Sequence, residues 1–364
     1  MVSINAIFTT FGPEYLDRYG RKMPDNHRKT MDAIISCRTS DRGLAIYKCP
    51  GCGRVHTVFQ SCGNRHCPQC QYQKSQAWLE KQIRRQLPGH HFMVTFTVPD
   101  RLRFVIRSHQ RIGYSALFKA SSATIKKLAA DDTFIGGDLA GFFGVLHTWG
   151  RQLQYHPHIH YIVPGGAIST DNLAWHPSRV DFLMPVRAMS KIFKAKFRDE
   201  MKAAGLSGLI DKNVWHVDWN VNCQAVGSSE RSIKYLAPYV FRVAISNSRI
   251  VKVEDRRVFF KYRKKGSRRM RVASLDVMEF MRRFLQHVLP PGFMKVRHYG
   301  FLHPACAIPL ADVEAMIAMA SGFDIEMPSR HVSQPPCATC ADCGAKLIYC
   351  YSVLPLMRPP VRYG

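Results

Sequence analysis

Histidine occupies every second position of His156-Pro157-His158-Ile159-His160. In a β-strand alternate residues share a face, so the three imidazoles can point one way while Pro157 and Ile159 point the other. Two imidazoles two residues apart on a rigid strand can chelate one divalent ion. Imidazole suits zinc, manganese, nickel and copper, and magnesium can be held when carboxylate or phosphate completes its shell. Pro157 stands at the strand entrance, where proline is tolerated, and Pro164-Gly165-Gly166 closes the segment. His147, on the preceding apolar stretch, could supply a third ligand. The competing reading is a solvated histidine run; three histidines on one strand of a basic chain favour the metal.

A second group is Tyr235-Leu236-Ala237-Pro238-Tyr239. At i and i+4 of a helix two phenols lie one above the other, and a tyrosine hydroxyl can act as a nucleophile. With a reference pKa of about 10 it needs cations nearby; Arg231, Lys234 and Arg242 stand within a turn or two. Taken alone, two tyrosines at this spacing are more often packing residues. Pro238 loosens the geometry, because it removes one intrahelical bond and clashes with the carbonyl of Lys234.

Of 12 cysteines, all but Cys223 and Cys306 fall into two clusters, Cys37 to Cys70 and Cys337 to Cys350. In a reducing cytosol such clusters read as metal ligands rather than disulfides. Cys49-Pro-Gly-Cys52 and Cys67-Pro-Gln-Cys70 are two Cys-X2-Cys knuckles 14 residues apart, and the spacing predicts one four-thiolate structural zinc. Gly51 and Gly53 relieve the first turn of steric cost. Cys37, Cys62 and His66, with His56 and His27 nearby, are candidates for a second zinc; the plainer reading makes both cysteines small buried apolar residues. Cys337, Cys340, Cys343 and Cys350 could form another small site, although their spacing is less regular and no matching second knuckle stands beside them. Arg38, Arg42, Lys48, Arg54 and Arg65 suggest that the N-terminal module touches phosphates.

These groups sit in a chain of 364 residues with 52 lysines and arginines against 26 acidic residues, a net charge of +26. A field of that sign draws in a polyanion, of which nucleic acid is the commonest. The alternative, an anionic membrane, finds no support: there is no apolar run of about 18 residues and no signal-peptide pattern at the start, so a soluble intracellular protein is expected. Apolar residues at 46% indicate a packed globular chain. Arg256, Arg257, Lys261, Arg263, Lys264, Lys265, Arg268, Arg269 and Arg271 form a basic run interleaved with Phe259, Phe260 and Tyr262. It reads either as a solvated hairpin or as a surface that tracks phosphates and offers aromatic platforms to bases.

The elements that must position these groups are legible from periodicity. A basic helix is expected over 71–87. Strands are expected over 91–98, 141–149, 157–163 and 215–221, with shorter ones over 242–246, 249–253 and 256–262. Helices are expected over 102–129, 186–204, 230–240 and 274–288, the last from Val277, Phe280, Met281, Phe284, Leu285 and Val288 at helical spacing. No regular βαβ beat is present, so the expectation is an α+β fold with a mainly antiparallel central sheet and flanking helices. Residues 1–87 read as a zinc-ribbon-like DNA-binding module with a linker helix, 88–305 as the main domain, and 306–364 as a tail that is unstructured from 351.

In this order the motifs are specific. The Cys-X2-Cys module is followed by Val94-Thr95-Phe96-Thr97-Val98-Pro99, Leu146-His147-Thr148-Trp149, the histidine strand with Val163-Pro164-Gly165-Gly166, and the tyrosine pair with Arg242-Val-Ala-Ile-Ser246; Val296-Arg297-His298-Tyr299-Gly300-Phe301-Leu302 comes last. Over about residues 15–305 the chain resembles the two-tyrosine HUH transposases of the insertion-sequence-ninety-one type. The resemblance implies an HUH-endonuclease-like fold, with His158 and His160 holding magnesium or manganese on a central strand and Tyr235 and Tyr239 as nucleophiles on an adjacent helix. It implies rolling-circle-type transposition of an insertion sequence, by cleavage and rejoining of single-stranded DNA through 5′-phosphotyrosine intermediates. The partners would be the ends of a mobile element and its target DNA, in the bacterial cytoplasm at the nucleoid. No nucleoside triphosphate is required, in keeping with the missing Walker loop. For the third ligand His147 stands first, His156 second and Gln224 a distant third. The alternatives are a replication initiator or relaxase with the same chemistry, and a non-catalytic zinc-ribbon DNA-binding remnant.

Overall fold

A computed structural model describes residues 2–228, 244–264, 266–267, 269–325 and 338–355, without the side chains of residues 71–76 and 228. The expected helix over 230–240 with Tyr235 and Tyr239, the expected strand start at 242–243, and Lys265, Arg268 and Cys337 lie outside the described residues. In chain order the elements are α1 (Ile4–Tyr19), α2 (Asp25–Ile35), β1 (Leu44–Lys48), β2 (Val55–Phe59), α3 (Pro68–Ile83), β3 (His90–Thr97), α4 (Arg103–Ser108) and α5 (Gln110–Ala129). They continue with β4 (Phe142–Trp149), β5 (Tyr155–Pro164), β6 (Gly166–Ser169), β7 (Ala174–Pro177), α6 (Val186–Ala203) and β8 (Asn220–Ser228). The last are β9 (Ile250–Glu254), β10 (Arg257–Arg263), β11 (Met270–Asp276), α7 (Val277–Leu285), β12 (Val296–Tyr299), α8 (Leu310–Ala320) and β13 (Ile348–Val353). Every pairing of these strands is antiparallel, which makes the fold α+β as expected.

The chain divides into two compact units, and the division is not the three consecutive segments suggested by composition. One unit gathers residues 1–74, 241–288 and 333–364; the other gathers 75–240 and 289–332. The reason lies in long-range packing that no local pattern encodes. In the first unit Phe8 of α1 meets Phe284 of α7 edge-on at 5.2 Å, and Phe260 of β10 lies 6.1 Å from Phe280. The Ile4 amide donates to Asn247 Oδ1 at 3.0 Å, and Arg256 pairs with Glu14 at 2.6 Å. Strand β13 pairs with β1, completing a sheet of order β13-β1-β2. Residues 348–353 of the tail therefore form a strand, past the expected limit at 351, because their backbone groups are satisfied by β1.

The second unit is built on a five-stranded sheet of order β12-β4-β5-β3-β8, with β5 at its centre. One face carries Phe92, Phe96, Ile159, Tyr161, Phe142 and Leu146, all buried against α5 and α6. Phe96 meets Phe193 of α6 at 5.0 Å, and the buried Tyr161 hydroxyl shares a 2.7 Å hydrogen bond with Ser121 of α5. That bond matters because an unpaired buried hydroxyl costs about 1–3 kcal/mol. The opposite face carries the histidines.

Several local boundaries shift, and residues 244–246, expected in a strand, form none. The helix expected over 102–129 breaks at His109 into α4 and α5. The strand expected over 215–221 starts only at Asn220, because Trp219 is buried and donates its indole N–H to the Val214 carbonyl at 2.9 Å, holding 212–219 in turns. The helix expected from Ser274 starts at Val277; residues 270–276 are strand β11, and Asp276 caps the helix by accepting from the Met278 amide at 2.9 Å.

Two outcomes test this packing. A Cβ at Gly144 would come within 2.3 Å of the Tyr161 ring, whereas one at Gly208 meets nothing within 4 Å. Gly144→Ala is expected to cost about 1–3 kcal/mol and lower the melting temperature, and Gly208→Ala to leave it within about 0.5 kcal/mol of the parent. His91 is buried, and desolvation holds its imidazole down to about 4. Its folded pKa lies below the unfolded value, so its contribution is complete above about pH 6.5 and is lost as pH falls toward about 4. Urea unfolding of His91→Gln at pH 7 and pH 4 should show an acid loss smaller than the parent's by up to about 3 kcal/mol.

Candidate functional site

The histidines meet through strand register. On β5, His156, His158 and His160 are half-buried while Pro157, Ile159 and Tyr161 are buried, the alternation expected of a strand with one face in the core. On β4, His147 stands directly opposite His158. One ligand nitrogen each from His147, His158 and His160 lie within 4.8 Å of one another. Of the candidates for a third position, the fold brings His147 to His158 and His160.

Hydrogen bonds fix how these imidazoles present themselves. His158 Nδ1 lies 2.7 Å from the His156 carbonyl. A carbonyl can only accept, so Nδ1 carries the proton and Nε2 keeps the lone pair. His160 Nδ1 lies 2.8 Å from Thr95 Oγ1 on β3, a contact that orients the ring. Burial holds His158 well below the usual imidazole range and His160 down to about 4, so both are neutral near pH 7, the state a metal ligand requires. Thr95 could have been found by carrying the two-residue period of β3 across to the histidine face. Trp149 stacks on His147 with ring centroids 4.9 Å apart, and the Lys295 ammonium lies 4.9 Å from the Trp149 centroid.

His156 does not join them. Between His147 and Trp149 the register with β4 shifts, and β5 takes three steps, from His158 to Tyr155, against two on β4. This bulge accommodates Pro157, whose missing N–H would otherwise break a ladder bond. It also re-aims His156, whose Nδ1 accepts from Arg103 at 2.8 Å. Gln224, on β8, pairs with Met93 of β3.

The cysteines divide differently from the spacing expectation. Cys49, Cys52, Cys67 and Cys70 do not meet at one point. The β1–β2 turn carries Cys49 and Cys52, and the five residues of β2 then lead the chain about 16 Å away before Cys62, Cys67 and Cys70. Cys67 and Cys70 instead cluster with Cys37 and Cys62; Cys70 Sγ lies 3.5 Å from Cys37 Sγ and 3.4 Å from Cys62 Sγ. Here Cys62 is pulled down to about 5, chiefly by the hydrogen bond from Cys67, and Cys37 is pushed up to about 11, chiefly by burial. His66 is not part of this cluster. Cys49 and Cys52 meet Cys340 and Cys343 from the tail, with Cys49–Cys343 at 3.3 Å and Cys52–Cys340 at 3.7 Å between sulfurs. Cys350 is exposed and outside both groups.

The basic run forms a hairpin of the sheet β11-β10-β9. Arg257, Lys261 and Arg263 are exposed on one face of β10, with Phe259 between them and Lys252 5.1 Å from the Phe259 ring centroid. Phe260 points the other way and is fully buried, so it is a core residue and offers no platform to a base. Arg256, Lys264 and Arg269 are exposed around the hairpin turns.

Residues 141–308 match a family described as "Putative transposase", and residues 7–98 match the "Transposase zinc-binding domain". The chain is similar to "Putative transposase y4qJ" of Sinorhizobium fredii, 36% identical over 321 residues that cover 80% of each chain. It is also similar to the "Transposase for insertion sequence element IS801" of Pseudomonas savastanoi pv. phaseolicola, 25% identical over 359 residues, covering 88% of this chain and 82% of that one. No solved structure gives a significant match. Among the described residues no helix is long and apolar enough to cross a membrane.

The cluster geometry separates the two candidate third ligands. His147→Ala is expected to weaken manganese binding to the histidine cluster at least about 10-fold, while His156→Ala stays within about 3-fold of the parent. Titration of free manganese by electron paramagnetic resonance distinguishes the two; equal losses would mean that His156 also ligates.

Proposed function

This chain belongs to the IS91-type transposase family, and on that premise we propose that it cuts and rejoins single-stranded DNA through a covalent tyrosine–phosphate intermediate. The observation that carries the reading is the cluster of His147, His158 and His160 on the central sheet, with two imidazoles held neutral and oriented from behind. The donor set fits magnesium or manganese once phosphate oxygens complete the shell. An ion bound there would supply Lewis-acid polarisation of the phosphodiester. Among the described residues no carboxylate belongs to the cluster, so these residues leave its charge uncancelled for an anionic substrate.

The residues assigned as nucleophiles are Tyr235 and Tyr239. In the proposed step a tyrosine oxygen bonds to phosphorus and the bond from phosphorus to the 3′ oxygen breaks. The tyrosine proton passes to solvent, the departing oxygen takes up a proton, and the 5′ strand remains as a phosphotyrosine ester. Attack on that ester by a 3′-hydroxyl rejoins DNA and restores the tyrosine. One phosphodiester is exchanged for another, so the cycle consumes no nucleoside triphosphate. Two tyrosines would let a second strand be cut before the first is released, as rolling-circle-type transposition of an insertion sequence requires.

Arg257, Lys261 and Arg263, with Phe259 and Lys252, are assigned to phosphate tracking on the single strand. The zinc-binding domain and the cysteine clusters support structural zinc in the N-terminal region; we assign Cys37, Cys62, Cys67 and Cys70 as its ligands. The protein would act in the cytoplasm, on the nucleoid.

The test mixes the purified chain with labelled single-stranded DNA from its element's end and magnesium or manganese, followed by a denaturing gel. A covalent band is expected, lost with EDTA and in Tyr235→Phe/Tyr239→Phe, and each single variant then identifies the first nucleophile. Salt-sensitive DNA binding with no adduct would overturn catalysis in favour of a DNA-binding role alone.

A further inference from the structure

We infer that Cys49, Cys52, Cys340 and Cys343 form a second structural zinc site, closed only when the tail returns to the N-terminal hairpin. The pairs are 288 positions or more apart in sequence, and Cys340 and Cys343 lie outside the stretch matched to the zinc-binding domain.

The argument rests first on the likeness of the two turns. Cys49-Pro-Gly-Cys52-Gly53-Arg54 and Cys340-Ala-Asp-Cys343-Gly344-Ala345 share one local pattern. In the first, the Cys49 amide donates to the Arg54 carbonyl at 2.8 Å and the Gly53 amide to the Cys49 carbonyl at 3.0 Å. In the second, the Cys340 amide donates to the Ala345 carbonyl at 2.8 Å and the Gly344 amide to the Cys340 carbonyl at 2.9 Å. Gly53 and Gly344 have φ of 72° and 73°, a left-handed conformation that favours glycine. Two turns of the same shape, each presenting two sulfurs, face each other as halves of a tetrahedral four-thiolate site.

The second support is what surrounds the sulfurs. A Cβ on Gly51 would stand 3.3 Å from Cys343 Sγ and 3.2 Å from the Ala345 Cβ, so the turns approach closely where a side chain is lacking. Arg54 pairs with Asp342 across the turns at 2.6 Å, and His56 Nε2 lies 3.3 Å from Cys340 Sγ. Beyond the turn, β13 pairs with β1 from Lys48↔Ile348 to Leu44↔Val353. These strands are short, and most of β13 is exposed on its own account. Four thiols brought together without an ion gain little, whereas zinc binding to them contributes to folding outright. The ion would therefore hold the tail strand on the N-terminal sheet. This inference is independent of the nuclease reading, and its failure would leave the adduct experiment untouched.

The test is made on the full chain, loaded with zinc. Alkylation followed by mass spectrometry should find Cys49, Cys52, Cys340 and Cys343 protected together and exposed together by a chelator, while Cys350 reacts at once. Metal analysis should give one zinc ion per chain fewer in Cys340→Ser/Cys343→Ser than in the parent and in Cys350→Ser. Cys340 and Cys343 as reactive as Cys350 in the unaltered zinc-loaded chain, or a double variant that keeps as many zinc ions as the parent, would overturn the inference; the first readout needs no variant to fold.

Discussion

The antiparallel register between β4 and β5 is the constraint on which the histidine cluster depends. His147 faces His158 because the two strands pair from Phe143↔Ile162 without interruption up to that point. A slip of one residue would turn every side chain to the other face. The imidazoles would enter the aromatic core, and Ile159 and Tyr161 would face outward. The core face resists that slip: Gly144 lies directly under the Tyr161 ring, and Phe96 and Phe142 meet that ring edge-on at 5.9 Å and 5.4 Å. The Tyr161 hydroxyl has its partner in Ser121 only in this register. Packing on one face thus places the histidines on the other.

The same sheet resolves a conflict in its central strand. Proline in such a strand removes a ladder donor and is tolerated at an edge or a bulge. The ladder between β3 and β5 stops at Thr97↔His158, and the pairing with β4 bulges across His156 and Pro157. The irregularity confines the disruption to the strand's first turn of the pleat and sends His156 to Arg103. Its neighbours His158 and His160 keep the regular alternation, with the His156 carbonyl and Thr95 bracing them from behind. Desolvation then keeps both imidazoles neutral, outweighing at His158 the hydrogen bond to the His156 carbonyl, which acts in the opposite direction.

The thiol clusters obey a constraint of reach. A hairpin separates its tip from its base by the length of its strands, so residues that are near neighbours in sequence can be distant in space. Cys49 and Cys52 at the tip are too far from Cys67 and Cys70 to share an ion with them, and each pair finds other thiols: Cys37 and Cys62 at one end, Cys340 and Cys343 at the other. Each group of four is crowded enough to perturb its own protons. Cys49 is drawn down to about 6, chiefly by the Cys52 amide, and Cys340 is lowered chiefly by the Cys343 amide.

Local sequence by itself determined the α+β class, the one-faced alternation of His156, His158 and His160, the position of β3 and β4, and the likeness to transposases. These follow from periods of two and 3.6 residues and from motif order, which neighbours in sequence suffice to express. Tertiary structure decided what depends on contacts between distant residues. It brought His147 rather than His156 beside His158 and His160 through a register and a bulge, sent Phe260 into the core while leaving Phe259 half-buried, joined residues 241–288 to the N-terminal helices, and divided eight cysteines into two groups of four that spacing had paired otherwise. The physical reason is common to all four: a side chain's face is set by its own strand, but its partners are set by which other strand or turn the chain brings back beside it.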